Sequence, residues 1–383
     1  TRSDYRFLPG MSLGWTWDFR LPIRVDDVLH VRFRVGGLRA SRSRPGWGIV
    51  ILPTELINQH GDINRTIELL SDETKCETIV VIDNQMTVSA RYADLVLPDV
   101  TTAEQLDVIA QGSAGNLGYT ILADKAIEPM YDSVPIYEQL THIAEKLGVK
   151  DQFTEGRTQE EWVRWLLDQS RTTITDLPTF EQLKTQGIFK KKLASYISMQ
   201  KFRDDPVANP LKTPSGKIEI WSSNLHLMSQ DWKMDVPGNG IDPLPVYRQT
   251  REMPGDELQS KYPLQCIGHH YKQRTHSSYG NSPWLKEAHP QHVWINTLDA
   301  AARGIANGDA LEVFNDRGAL VLPAYVTPRI MPGVISVPQG AWYDPGTGGV
   351  CKGGSVNVLT SQELTSYSKG NGQHSNLVEV RRA

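Results

Sequence analysis

Cysteine is scarce in this chain of 383 residues. Its three cysteines, Cys76, Cys266 and Cys351, stand far apart. No Cys-x-x-Cys pair occurs, so no iron–sulfur or zinc ligand set is recognisable. The odd count also argues against a disulfide framework, and buried free thiols are the expectation. No apolar run approaches the ~20 residues that span a bilayer. No leader with a basic start and an apolar centre is visible. The formal net charge of −4 gives no electrostatic reason to expect a nucleic-acid partner. A Ser-centred elbow motif is missing, which leaves a hydrolase unsupported. No internal repeat of solenoid period appears.

Residues 1–52 lack two residue types that the rest of the chain uses freely. The first lysine is Lys75 and the first glutamate Glu55, although nine arginines fall between Arg2 and Arg44. Gly36-Gly37 and Pro45-Gly46 interrupt any regular period. Three explanations compete: an irregular Arg-rich arm, a basic interaction tail, or sequence read out of frame or joined at a break. The abrupt change near Pro53 favours the last. The segment is expected to add nothing to the fold, and no functional reading rests on it.

Beyond Pro53 the pattern is that of an α/β protein. Residues 53–212 form one region, 213–260 a connector and 261–383 a second region. Leu56 to Leu70 fits a helix interrupted near Gly61. Cys76–Asp83 and Ala93–Asp99 read as buried parallel strands joined through a short helix over Met86–Tyr92. Such strands place ligands beyond their carboxyl ends. Ile82, Asp83 and Asp99 stand there, where an aspartate accepts hydrogen bonds from a ribose or a guanine ring, or else caps a loop. Gly112–Tyr119 is a loop. Helices follow over Ile136–Leu147, from Thr158 through Leu167 with Glu161 closing a capping box, and over Phe180–Gln186. Trp162, Trp165 and Leu166 are expected in packing positions, Lys190–Lys192 as a solvated basic run and Lys217–Trp221 as a strand.

From Lys261 onward the strands are short and the turns dense, the pattern of a compact β-barrel with small helices. One stretch dominates it. Tyr262–Ile267 is apolar, and after Gly268 the chain turns polar. His269, His270, Lys272, Gln273, Arg274, Thr275, His276 and Ser277 concentrate donors and acceptors in one loop. Lys272 and Arg274 suit phosphate, the arginine through its planar fork. A solvated surface loop is the bland alternative. A metal site has less support, because adjacent histidines point apart on a strand.

Several motifs in series carry a family resemblance. They are Ile295–Ala300, Arg303–Asp309, Val313–Gly318 and Val326–Val334, then Ala341–Pro345 and Lys352–Thr360. Leu56–Thr66 and Ala93–Asp99 join them. Together they resemble the C-terminal half of catalytic subunits of the dimethyl sulfoxide reductase family of molybdopterin oxidoreductases, including its anaerobic and selenate-reductase-like members. The resemblance implies a Rossmann-like parallel α/β segment followed by a double-psi-like β-barrel that binds molybdopterin dinucleotide. It implies molybdenum held by bis(molybdopterin guanine dinucleotide), a 4Fe-4S cluster bound only outside this sequence, and anaerobic reduction of an S-oxide, N-oxide or selenate-type oxyanion. Carried over by motif, Ile82, Asp83 and Asp99 face one nucleotide. Gly268, His269, His270, Gln273, Arg274, Thr275, His276 and Ser277 line pterin and phosphate groups. Trp342 and Tyr343 pack beside the cofactor, and Asn357, His374 and Asn376 supply further polar contacts. Neither a catalytic residue nor a metal ligand is found in the sequence. The implied partners are an iron–sulfur B subunit and a membrane-anchor C subunit, at the periplasmic face of the inner membrane, and this half alone is expected to be silent. A non-catalytic nucleotide-binding module is the alternative.

Overall fold

The computed structural model describes residues 50–51, 63–111, 117–193, 197–231, 241–247, 249, 251–361, 372 and 374–383. Two compact units emerge from it. The first holds residues 78–86 and 93–200 with the pair 50–51, and the second holds 63–77, 87–92 and 201–383.

The first unit opens with a parallel sheet of β1 (Val50–Ile51), β2 (Ile79–Asp83) and β3 (Leu95–Pro98), in that order. Val50 lies opposite Ile79, and Val80 opposite Leu95. β1 corrects one expectation. Val50 and Ile51 belong to the segment expected to lie outside the fold, yet as a β-branched pair they extend the sheet. β3 corrects another. Among the described residues it is an edge strand rather than a buried one, with Leu95 51% exposed, because β2 alone pairs with it there. The connection between β2 and β3 is not the expected helix. Thr87 accepts from Ala90 N through its side chain and from Arg91 N through its carbonyl, leaving a single 3-10 turn at Ala90–Tyr92.

An antiparallel sheet that the sequence did not announce follows: β4 (Asp107–Gln111), β5 (Leu117–Ala123) and β6 (Ile188–Lys192). Leu117–Tyr119, read as loop, are strand. The expected basic run is also strand. β6 alternates exposed lysines with half-buried residues, and Lys191 Nζ reaches Asp176 at 2.5 Å. Residues 112–116 lie outside the described set. Beneath this sheet the helices Gln159–Arg171 and Phe180–Gln186 bury Val163, Leu167, Phe180 and Leu183 against Val108 and Leu122. Both helices start with a complete capping box, Thr158 with Glu161 and Thr179 with Gln182. Of the three packing positions expected on the first helix, Trp165 is exposed, Leu166 is half-buried, and Trp162 donates to Tyr137 OH at 3.1 Å. The helix Ile136–Lys146 ends at Gly148, whose φ of +72° suits glycine.

The second unit holds β7 (Leu264–His269), β8 (Val293–Ile295), β9 (Ala310–Phe314), β10 (Ala319–Val326), β11 (Val334–Pro338), β12 (Val350–Cys351) and β13 (Asn376–Arg382). Six of them close in the order β10-β8-β11-β7-β13-β9 and back to β10, with β12 added on β10. The β7–β11 and β8–β10 pairs are parallel and the other pairs of the ring antiparallel. This is the expected barrel. Its interior is filled by Leu264, Val293, Ile295, Leu311, Val313, Leu320, Ile335 and Val378, each at most 1% exposed. The β9–β10 hairpin turns on Asn315, whose Oδ1 accepts from Arg317 N at 3.0 Å. Asn296 caps the helix Thr297–Ala302 by accepting from Leu298 N.

The helix expected over Leu56–Leu70 is present at Ile63–Leu70, and its earlier part lies outside the described residues. Lys217–Trp221 is not a strand, and its Ile218 and Ile220 are 66% and 73% exposed. The connector instead contains a helix at Ser223–Asp231 and a 3-10 turn at Glu257–Ser260.

Candidate cofactor-binding site

In the first unit, Ile82 and Asp83 close β2, and Asp99 follows the last residue of β3. The two aspartates are adjacent, since Asp99 N donates to the Asp83 carbonyl at 3.1 Å. Asp83 Oδ1 accepts from Gln85 N. Asp99 Oδ1 accepts from Val100 N at 2.9 Å and from Ile136 N at 3.0 Å. It thereby caps the Ile136–Lys146 helix, where Pro135 offers no side-chain cap. Burial pushes the Asp99 carboxyl above its ordinary range, and the charges of Asp83 and Glu104 add to that. Glu104, which the sequence reading passed over, is 3% exposed and accepts from Thr101 N at 2.6 Å and Met130 N at 2.8 Å. These bonds hold its pKa below the usual value. It ties down the two loops that flank the strand ends.

In the second unit the polar loop grows from the end of β7. Gly268 N donates to His374 Nδ1 at 3.1 Å, and Gln265 Nε2 reaches the carbonyls of His374 and Asn376. Asn376 pairs with Cys266 across the β7–β13 ladder. Asn315 Nδ2 donates to the carbonyls of Leu359 and Leu377, bringing the Asn357 turn to the start of β13. Gly268, His374 and Asn376 therefore come together at the β7–β13 ladder, and the Asn315 bonds bring the Asn357 turn beside them. Asn357 is 6% exposed and Asn376 fully buried.

The loop residues divide by direction. His269 lies on the face of β7 opposite Leu264 and Cys266, the outer side of the barrel, with Nδ1 2.7 Å from Ser336 Oγ and its ring beside Trp294. Burial, aided by the Arg274 charge, lowers its pKa and favours the neutral ring. His270 is exposed and faces the His276 ring at 5.4 Å. Arg274 is held from within. One guanidinium nitrogen donates to Gln291 Oε1 at 2.8 Å and to the Gln339 carbonyl at 2.9 Å, and the group lies 4.5 Å over the Tyr271 ring. Desolvation depresses its pKa to about 10, so it stays cationic at neutral pH. The sequence analysis gave Arg274 its charge but missed Gln291 and Gln339 as its partners, and it left Tyr271 without a role.

The loop's shape depends on close packing. Trp342 Nε1 donates to the Ser277 carbonyl at 2.8 Å. Thr275 and Ser278 form a bridge, and His276 and Tyr279 adopt left-handed backbone with φ of +53° and +67°. A Cβ at Gly340 would sit 1.8 Å from the His276 carbonyl oxygen, so glycine is required there. Tyr343 is buried, and burial raises its phenol pKa.

Three buried polar atoms of this loop have no partner among the described residues: Arg274 Nε, Tyr271 OH and Gln273 Oε1. Leaving such a group unpaired costs about 1–3 kcal/mol. Two donors and an acceptor grouped on one loop fit a polar, anionic ligand. They line a cavity of about 250 Å³ together with Leu285, Gln291 and Leu322. That volume is below the roughly 300–1,000 Å³ of pockets that enclose a whole small ligand, so it takes part of one.

Two family matches coincide with the two parts of this architecture. The molybdopterin oxidoreductase family matches residues 38–146, and the molydopterin dinucleotide binding domain matches residues 264–377. The first match begins inside the Arg-rich segment, on which the sequence analysis rested no functional reading. The chain is 53% identical to dimethyl sulfoxide reductase DmsA of Escherichia coli, over 85% of the chain and 40% of that protein. Identity to its namesake from Haemophilus influenzae is 51%, over 85% of the chain and 41% of the relative. The dimethyl sulfoxide/trimethylamine N-oxide reductase of Cereibacter sphaeroides is 36% identical over 84% of the chain and 40% of that protein. The chain thus spans about two fifths of the length of these relatives. Acetylene hydratase from Pelobacter acetylenicus, a solved structure, shares the fold with a TM-score of 0.62 at 20% identity, over 85% of this chain and 42% of that one. With a dinucleotide-binding barrel beyond a molybdopterin oxidoreductase segment, and about half of its aligned residues identical to those of the two DmsA reductases, the chain belongs to the dimethyl sulfoxide reductase family of molybdopterin oxidoreductases.

Proposed function

We propose that this chain is part of a catalytic subunit that reduces S-oxides or N-oxides, and that its barrel holds the guanine form of the molybdopterin dinucleotide. The unpartnered Arg274 Nε, Tyr271 OH and Gln273 Oε1 on one strained loop carry this reading. The bound molybdenum cofactor supplies the two-electron chemistry, and the polypeptide binds and tunes it. Arg274 donates to anionic oxygen from Nε while Gln291 and Gln339 fix its plane. Tyr271 donates and Gln273 accepts beside it. His269, neutral and held by Ser336, adds no positive charge at the end of β7. Asn357, His374 and Asn376 offer polar groups from the adjoining strand end. In the first unit, Asp83 stands where an open α/β sheet presents groups to a nucleotide, and Asp99 holds the neighbouring helix start in place.

The relatives' names support dimethyl sulfoxide and trimethylamine N-oxide as substrates. A selenate-type oxyanion, an iron–sulfur partner carrying electrons from a membrane-anchored subunit, a 4Fe-4S cluster bound outside this sequence and a periplasmic location complete the proposal. The test is made on the intact protein. Molybdenum and acid-released GMP are quantified per polypeptide, and oxidation of reduced viologen is followed with dimethyl sulfoxide, trimethylamine N-oxide and selenate. Near-stoichiometric molybdenum with about two GMP per metal, and turnover of one of these oxides, is the expected result. A folded intact protein with neither molybdenum nor GMP overturns the reading.

A further inference from the structure

We propose that Glu252, acting through Arg317, is a positioning residue for the cofactor-facing turns of the barrel. This inference rests on the reading above; Glu252 lies in no motif that led to it, whereas Arg317 and Leu359 lie within Val313–Gly318 and Lys352–Thr360. Glu252 belongs to the connector, yet it is 6% exposed, and its backbone is left-handed with φ of +55°. A glutamate held in that conformation is over-determined by its surroundings, which marks a place to look for function. Asp256 Oδ2 fixes it by accepting from Glu252 N at 2.9 Å.

The carboxylate makes three bonds. Oε1 accepts from Arg317 Nη1 at 2.7 Å, and Oε2 accepts from Arg317 Nη2 at 2.7 Å and from Leu377 N at 2.9 Å. Arg317 also donates to the Leu359 carbonyl, at 2.9 Å from Nε and 2.6 Å from Nη2. One side-chain pair therefore grips two backbone segments. Leu359 lies two residues after Asn357, and Leu377 directly follows Asn376. The second segment runs back to His374, whose ring accepts from Gly268 N at the root of the polar loop. Moving Leu377 shifts Asn376 along β7 and pulls on His374, and moving Leu359 shifts Asn357.

The fork geometry matters here. A planar guanidinium satisfies the carboxylate bidentately and still reaches a carbonyl on its other edge, which an ammonium cannot do. Arg317 sits on the β9–β10 hairpin turn and Glu252 in the connector, so the pair acts on Asn357 and Asn376 through the backbone of Leu359 and Leu377.

The intact enzyme tests this with Glu252→Ala, Glu252→Gln and Arg317→Lys, each read by molybdenum and acid-released GMP per polypeptide, by thermal melting and by the Mo(V) electron paramagnetic resonance spectrum. Loss of groups that orient a site from outside its direct contacts lowers metal-site occupancy about 10–100-fold. Glu252→Ala is expected to lose at least roughly tenfold of the retained molybdenum and GMP after dilution and gel filtration. Glu252→Gln, which keeps an acceptor for Leu377 N, is expected to stay within about threefold of wild type on the same scale. Arg317→Lys keeps the charge but not the Leu359 bonds. It is expected to change the Mo(V) spectrum at matched loading, and it serves if Glu252→Ala does not fold. A lowered melting temperature with wild-type cofactor content and an unchanged spectrum in all folded variants overturns the inference, leaving a purely structural pair. A wild-type enzyme that holds no molybdenum or GMP overturns the functional reading itself, and this inference with it.

Discussion

The strand ends of the first unit carry carboxylates, and those of the second carry imidazoles, amides and a guanidinium. Asp83, Asp99 and Glu104 cluster in the one. His269, Arg274, Gln273 and His374 cluster in the other. The scaffolds differ as well. The sheet β1-β2-β3 is open, so Leu95 at its edge stays half exposed, whereas the barrel has no free edge in its ring and seals its interior. An open sheet fixes its acidic groups by capping neighbouring loops. A closed barrel fixes its polar loop by packing it against the next strand end, as Gly340 does with His276.

The largest expected effect comes from the sealed interior. Ile335→Ala should cost about 2–5 kcal/mol of unfolding free energy, since the residue is fully buried. Leu95→Ala, at an exposed edge, should cost less than about 1 kcal/mol. Urea midpoints at constant slope decide, and equal losses would break the contrast between barrel and sheet.

Gly340→Ala comes next. It places a methyl carbon into the His276 carbonyl at a φ of +81°. Strain and overpacking together should cost about 2–4 kcal/mol. Chemical shifts of His270 and His276 should move with it, because the loop has to retreat. A stable variant with unchanged histidine shifts would show that the loop does not depend on this packing.

Helix caps give a smaller, unit-specific effect. Thr158→Ala and Thr179→Ala remove complete capping boxes, and each should lose about 1 kcal/mol. The loss should appear in the melting of the first unit and leave β7–β13 protected in hydrogen exchange. Protection lost equally in both units would argue that they unfold together.

The smallest effect is the sharpest test of the charge contrast. His269 has a lowered pKa in the folded chain, so the unfolded chain binds its proton more readily. Its neutral burial thus favours folding above the ordinary histidine pKa of about 6.5, and that contribution is lost as pH falls from there toward the folded value. Asp99 has a raised pKa, so its contribution is present below the ordinary value of about 3.9 and is lost as pH rises through the folded value. Asp99→Asn keeps an acceptor for Ile136 N and should leave stability at pH 7 unchanged or higher by a few tenths of a kcal/mol, on the scale of surface substitutions. A loss of 1 kcal/mol or more, well outside that scale, would mean that the cap needs its charge. Titration of the His269 ring by nuclear magnetic resonance checks the other half.

Much of this architecture was legible in the sequence because it is local. Thr158 and Glu161 announce their helix through contacts within one turn. The polar loop after Gly268 was visible for the same reason, as a break in an apolar run. What failed to show depends on distant partners. Lys190–Lys192 look like solvated coil until β5 supplies their hydrogen bonds. Lys217–Trp221 look like a strand, but no neighbour receives them among the described residues.

The chain order alone therefore determined the α/β segment, the barrel strands, the Thr158–Glu161 capping box and the chemistry gathered in residues 268–277. Only the tertiary structure decided which of those groups are committed. It turned Arg274 toward Gln291 and Gln339, drew Asp99 onto the start of a helix, and joined Glu252 to Arg317 and Leu377. The physical reason is distance along the chain. A cap is satisfied within one turn, whereas a buried ion pair exists only once the barrel has closed and brought its members together.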